Sequence, residues 1–267
     1  MIGNMMQPLA DFPLEARRRV RFVLTDIDDT LTTAGRLGAA AYRALERLSD
    51  SGRRVVAVTG RPAGWCDMIA RFWPVDAVVG ENGAFYFRYD HPQRAMTRRY
   101  FLSEAERADA RVRLDRLAKE ILAAVPGARL AADQPYRVAD LAIDFREDCG
   151  PLPQEDVDRI VALFEAAGAT AKVSSIHVNG WFGDWDKLAM TRILFREAYG
   201  LGLDATKEAV TFIGDSPNDA PMFAYFPNAV AVANIRPHLA RVAVPPAFVT
   251  EAEAGDGFVE FADALLR

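Results

Sequence analysis

Short, nearly continuous apolar runs alternate along this chain with stretches whose apolar residues recur at helical spacing. Val20-Arg21-Phe22-Val23-Leu24 reads as a short buried strand. A helix from about Gly38 to Ser51 then places Ala41, Leu45 and Leu48 on one side and stops at Gly52. Arg54 to Val58 is a second strand, of the apolar type found in parallel sheets buried on both faces. It ends in Thr59-Gly60-Arg61-Pro62, where Pro62 suits the first turn of a helix. Asp76 to Val79 gives a third strand, and Gly80-Glu81-Asn82-Gly83 before Ala84-Phe85-Tyr86-Phe87 supplies the Asn-Gly signal of a hairpin. Strand, helix, strand, helix, strand implies a parallel sheet covered by helices.

From about Arg88 to Asn179 the pattern changes. Ser103-Glu104-Ala105-Glu106 fits a capping box and opens a long helix with Leu114, Leu117, Ile121 and Val125 on one face. A strand from Leu141 to Phe145 follows, then a helix from about Pro153 to Ala167 carrying Val157, Ile160, Val161 and Phe164. Two extended pieces, near Ala171 to Ser174 and Ile176 to Asn179, close the module. Strands and amphipathic helices needing a shared face predict an α+β module at 88–179, inserted into a domain formed by 1–87 and 180–267. The chain then returns to its first style. A helix spans about Asp186 to Tyr199, and a strand from Glu208 to Ile213 ends in Gly214-Asp215-Ser216-Pro217-Asn218-Asp219. Short strands near Ala229 to Ala233 and Phe248 to Thr250, with helices after Pro237 and after Asp256, complete the expected sheet.

Composition narrows the function classes. With 267 residues, 51% hydrophobic and 26% charged, the chain is an ordinary globular sequence long enough for a substantial core. A formal charge of −5 offers no general attraction for nucleic acid or anionic lipid, and the one basic run, Arg17-Arg18-Arg19, reads as a solvated helix end. Cys66 and Cys149 stand far apart without CxxC spacing, which suggests neither a disulfide framework nor a thiolate zinc site. Neither a secretory signal nor a run of bilayer-spanning length is visible, so a soluble cytoplasmic protein is expected, with no membrane partner. Oligomeric state is not legible.

The candidate chemistry lies at strand ends. In Asp26-Ile27-Asp28-Asp29-Thr30-Leu31, alternate side chains share a face, so Asp26 and Asp28 can point into one pocket. Two carboxylates so spaced repel unless they share a cation or a proton, although Asp and Thr are also common turn formers. Thr59 before a helix start is placed to hold an anion, or simply caps that helix. Lys187 sits in the first turn of its helix, an unfavourable place for a cation. If Asp26, Asp28, Asp215 and Asp219 converge, a divalent cation resolves their repulsion, and an all-oxygen donor set suits magnesium with a substrate phosphate. Thr59 and Lys187 then serve the phosphate oxygens that the metal leaves free. All these motifs fall at the carboxyl ends of expected core strands or beside them, where open α/β sheets bind ligands. Gly200-Leu201-Gly202-Leu203-Asp204-Ala205 matches a dinucleotide pattern but follows a helix, which excludes that reading.

Taken in order, Asp26-Ile27-Asp28-Asp29-Thr30-Leu31, Thr59-Gly60-Arg61, Lys187 and Gly214-Asp215-Ser216-Pro217-Asn218-Asp219 resemble the four motifs of the haloacid dehalogenase superfamily of phosphatases. The large insert, preceded by Gly80-Glu81-Asn82-Gly83, is similar to that of the Cof-type branch (subfamily IIB) with a C2B cap. Asp186-Lys187-Leu188 departs from the Ser-Lys-Gly common in that family. The resemblance implies a Rossmann-like parallel-sheet core with an inserted α+β cap, and a magnesium-dependent phosphatase acting on a phosphorylated sugar or related small phosphate ester. A phosphosugar mutase and a non-catalytic phosphosugar-binding regulator are the alternatives. By the same resemblance Asp26 is the nucleophile that forms an aspartyl-phosphate, and Asp28 the acid and base. Asp26, the backbone carbonyl of Asp28 and Asp215 hold magnesium, with Asp219 in or beside that shell. Thr59, Gly60 and Lys187 bind the phosphoryl group, and Asn82 either joins them or serves the hairpin turn. His177 and Asn179, alternating to one face of a strand, are the cap's candidates for substrate contact.

Overall fold

A computed structural model describes residues 6–267; the first five residues of the expected core domain lie outside it. Fifteen strands and nine α-helices form two sheets and a small hairpin among the described residues. The strands are β1 (Gln7–Pro8), β2 (Phe22–Thr25), β3 (Thr32–Thr33), β4 (Arg36–Leu37), β5 (Arg54–Val58), β6 (Ala77–Gly80), β7 (Phe85–Asp90) and β8 (Ala95–Tyr100). They continue as β9 (Arg129–Leu130), β10 (Leu141–Asp144), β11 (Thr170–Val173), β12 (His177–Trp181), β13 (Val210–Gly214), β14 (Val230–Ala231) and β15 (Phe248–Val249). Helices α1 (Leu14–Arg19), α2 (Ala39–Asp50), α3 (Ala63–Phe72), α4 (Glu104–Ala124) and α5 (Gln154–Ala166) precede α6 (Lys187–Tyr199), α7 (Leu203–Thr206), α8 (Ala220–Tyr225) and α9 (Ala254–Leu266).

The large sheet runs β1-β15-β14-β13-β2-β5-β6-β7-β8. All neighbours from β1 to β6 are parallel, and β7 and β8 add an antiparallel edge. Its central strands bury both faces, which is why they read as continuous apolar runs. Val23, Val55, Ala57 and Val78 join one apolar layer with α2, α3 and α9, whereas Leu24, Val56, Val58 and Val79 join another with α6 and α8. This is the mixed α/β, doubly covered sheet expected from the sequence.

In the smaller sheet, β11-β12-β10-β9, every pair is antiparallel. Only one of its faces is packed by helices. Leu141, Ile143 and Val178 pack with Leu114, Leu117 and Ile121 of α4 and with Val157, Ile160 and Phe164 of α5. Strand side chains alternate, so His177 and Asn179, flanking Val178, point away from that layer. The expected capping box of α4 forms, with Ser103 Oγ accepting from the Glu106 N–H and the Glu106 carboxylate accepting from the Ser103 N–H.

Several elements differ from expectation. The β7–β8 hairpin carries the large sheet on to Tyr100, so the boundary placed at residue 88 falls inside it. Among the described residues no α-helix starts directly after Pro237; 3-10 turns span Ala233–Arg241 across it, since proline has no N–H to continue an α-helical ladder. Helix α9 starts at Ala254 rather than beyond Asp256. No helix among the described residues is long and apolar enough to cross a membrane.

Candidate active site

Strands β13, β2, β5 and β6 are adjacent and parallel, so the residues after each emerge on the same edge of the sheet. Asp26 follows β2, Thr59 follows β5, Glu81 follows β6 and Asp215 follows β13. The Asp26 N–H continues the ladder by donating to the Ile213 carbonyl at 2.9 Å, which fixes this carboxylate beside β13. Beyond it the backbone turns sharply, with Asp29 at φ 53° and the N–H groups of Leu31 and Thr32 donating back to the Ile27 carbonyl.

One oxygen each from Asp26, Asp215 and Asp219 lies within 4.8 Å of the others, and all three residues are buried. Burial pushes the Asp26 carboxyl up to about 7; Lys187 opposes this, and Asp219 and Asp28 add to it. Burial, then Asp26 and Asp219, hold Asp215 well above the usual carboxylate range. Lys187, 2% exposed as a side chain, places Nζ 3.0 Å from Asp26 and 2.7 Å from Asp219. It reaches them from the first turn of α6, where Asp186 caps the helix by accepting from the Ala189 N–H at 2.7 Å. Burial alone would lower its pKa, but Asp219 and Asp26 hold it above the ordinary lysine value.

The oxygen donors fit a small, hard dication, and the raised carboxyl pKa values are those of a site short of positive charge. The four expected metal residues do not contribute alike. Asp215 is aimed by Thr30, whose hydroxyl donates at 3.2 Å, and by Asn234 at 3.5 Å. Asp219 has both oxygens engaged, Oδ1 with Lys187 and Oδ2 with the N–H groups of Asp215 and Ser216. The Asp28 side chain lies outside the three-carboxylate cluster and instead accepts from Arg61 Nε at 3.0 and 3.1 Å and from Nη2 at 2.8 Å.

Among the phosphate candidates, Thr59 is fully buried and its hydroxyl accepts from the Arg61 N–H at 3.0 Å. Gly60 borders the same chamber as Asp26 and Asp28. A Cβ at Gly60 would come within 3.2 Å of the Asn82 amide, so glycine admits Asn82 there. Asn82 itself sits at φ 54° in the turn joining β6 to β7, the expected hairpin position. His177 and Asn179 border this chamber from the smaller sheet. Its free volume is about 20 Å³, little more than one water, so the smaller sheet closes over the carboxylates.

Two charge networks that the sequence did not disclose join the sheets. Glu147, after β10, accepts from Arg61 Nη2 at 2.7 Å, and His177 Nε2 lies 2.9 Å from Glu147 Oε2 without hydrogen-bond alignment. Burial would raise the Glu147 pKa, yet His177 and Arg61 hold it down at about 2. Behind them, Glu81 accepts from the N–H groups of Ala63, Val138, Ala139 and Asp140. Arg137 donates to the Gly60 carbonyl at 2.9 Å, and to Asp133 and Asp140. Asn179 Nδ2 donates to Asp140 at 2.9 Å. The Gly-Glu-Asn-Gly stretch was the only available signal for the second network.

A family model for haloacid dehalogenase-like hydrolases matches residues 23–109 and 199–261. No match is found among curated proteins. Solved structures with the same fold include a Thermoplasma acidophilum protein, 22% identical with a TM-score of 0.69 over 93% of this chain and 99% of that one. The C-terminal domain of trehalose-6-phosphate phosphatase from C. albicans is 16% identical, with a TM-score of 0.73 over 99% of both chains. Sucrose-phosphatase from Synechocystis, solved with sucrose and phosphate, is 14% identical, with a TM-score of 0.62 over 93% and 98%. At these identities the likeness is one of fold.

Proposed function

The chain belongs to the haloacid dehalogenase-like hydrolases, and from that premise we propose a magnesium-dependent phosphatase acting on a phosphorylated sugar or related small metabolite. The observation that carries the reading is Asp26, Asp215 and Lys187 brought to one buried point by separate strand and helix ends, under a second sheet. The names of the trehalose-6-phosphate and sucrose phosphatases support the substrate class. We take α4, α5 and the smaller sheet, about 103–181, as the cap and the remainder as the core, which starts the cap later than the pattern change at residue 88 suggested.

Asp26 attacks phosphorus with one carboxylate oxygen, the ester P–O bond breaks, and an aspartyl-phosphate forms. Asp28 gives its proton to the leaving oxygen and then takes one from the water that attacks the aspartyl-phosphate. Arg61, donating to both Asp28 oxygens, orients this carboxyl for the two roles. Asp26, the Asp28 carbonyl and Asp215 would hold magnesium, which supplies charge compensation for the phosphoryl oxygens. Lys187 faces the same oxygens, while Asp219, saturated by Lys187 and two backbone N–H groups, positions the lysine. Thr59 and Gly60 form the turn that receives the phosphate, with Asn82 packed against it.

Phosphate release from a panel of phosphorylated sugars, with magnesium and with EDTA, tests the reading. Asp26→Asn is expected to lower kcat at least about a thousandfold while still binding substrate, because a neutral amide does not attack phosphorus. Full turnover in that variant would remove the assigned nucleophile.

A further inference from the structure

Outside the closed chamber, two cavities of about 420 Å³ each share Asp29, Ala34, Arg146 and Ser175 in their walls and form one trough between the sheets. One reaches Asp28 and Arg61, the other Asp215. Arg146 comes from the loop after β10, on the cap side, whereas His238 and Arg241 come from the 3-10 turns of the core. None of these three side chains makes an ion pair or a side-chain hydrogen bond among the described residues, in contrast to Arg61 and Arg137, which are neutralised by carboxylates. Asp29, Asp215 and Glu253 also border this cavity; Asp215 belongs to the buried carboxylate cluster, Asp29 is half-buried, and Glu253 is exposed, as are Arg146, His238 and Arg241.

We propose that the substrate carries a second oxyanion, on the group that leaves, and that Arg146, His238 and Arg241 form the subsite that receives it. The inference rests on the phosphatase reading and narrows its substrate class from sugar monophosphates to sugar bisphosphates or phosphorylated sugar acids. Like charges on opposite walls of a closing cleft repel, and an anion between them turns repulsion into a clamp across core and cap. Burial, then Arg241 and Arg146, push the His238 pKa down, as expected of an imidazole facing cations with no anion between. The trough has room for a sugar carrying a charged group, whereas the chamber, with about 20 Å³ free, has no room for the sugar.

The test compares kcat/KM for glucose 1,6-bisphosphate with glucose 1-phosphate and glucose 6-phosphate, and for 6-phosphogluconate with glucose 6-phosphate. In the wild type, at least one doubly anionic compound should exceed its singly anionic counterpart about tenfold or more. Arg146→Ser and Arg241→Ser should each cut that ratio several-fold, and the double variant should bring it near one. A wild-type ratio at or below one for both pairs, or a ratio the variants leave unchanged, overturns the subsite. If the wild type fails to hydrolyse even p-nitrophenyl phosphate with magnesium, the phosphatase reading falls instead. The subsite is then read by binding: 6-phosphogluconate or glucose 1,6-bisphosphate should raise the wild-type Tm more than glucose 6-phosphate does, and should lose that advantage in the double variant. Absence of the advantage overturns the proposal by that route as well.

Discussion

At Lys187 a buried ammonium is shared by two carboxylates, which cluster with that of Asp215. Removing one partner of a buried ion pair costs about 3–5 kcal/mol, because the charges left behind have no compensation. Lys187→Ala should therefore lower both stability and turnover, the latter by about a hundredfold or more in kcat/KM, as for other groups preorganised around a developing charge. Denaturant unfolding in EDTA and steady-state kinetics with magnesium check the two effects separately, and an unchanged kcat/KM would contradict the assignment. This lysine was legible because a cation at a helix N-terminus is out of place there. Asp26 and Asp28 stood out as paired carboxylates at a strand end, although turn chemistry alone also accounts for Asp and Thr there. Arg61 and Glu147 were not, since they meet across 86 positions and an acidic residue in a polar loop reads as solvated.

Single elements show where periodicity stops being informative. The Asn82-Gly83 hairpin was readable from turn chemistry, but a second task of Gly83 was not. At φ 108°, Gly83 lies so close to the start of α6 that a Cβ would run into the Asp186 carbonyl, next to Lys187. Gly83→Ala should therefore combine left-handed strain with displacement of the lysine helix and cost about 2 kcal/mol or more. That corresponds to a fall in Tm of roughly 4–8 °C for a domain of this size, with a loss of kcat/KM. Gly52, at φ 83° with open space around it, is the control: Gly52→Ala should show strain alone and leave kcat/KM intact. Equal kinetics in the two variants would contradict the role given to Gly83. The second hairpin strand, β8, was missed because its Ala95–Tyr100 register is set by pairing with β7 rather than by any apolar alternation of its own.

For the whole molecule, the buried carboxylates link stability to pH and to metal. Asp26 rises from its ordinary 3.8 to about 7 in the folded chain, so between those values the native state holds a proton that the unfolded state has lost. Stability of the metal-free protein should therefore fall as pH rises from about 4 to 7 and stay reduced above that. A dication removes the cost, so magnesium should raise Tm more at pH 8 than at pH 5.5; equal shifts would contradict the site. The fold class and the inserted module were legible because both layers of the large sheet and the helical face of the smaller one follow simple periods. Closure of one over the other was not, because the networks that seal it are polar and join distant residues.

Just ahead of α4 and of α6, the Phe101 and Trp185 rings lie 5.7 Å apart. On the proposed division, the two connections between core and cap thus run side by side. A module of different shape but similar end spacing could be grafted there without re-routing the sheet beneath it. Such a chimera should keep a folded core with its aspartates in place and accept a different range of esters, with recognition exchanged as a cartridge while the reaction itself stays in the core.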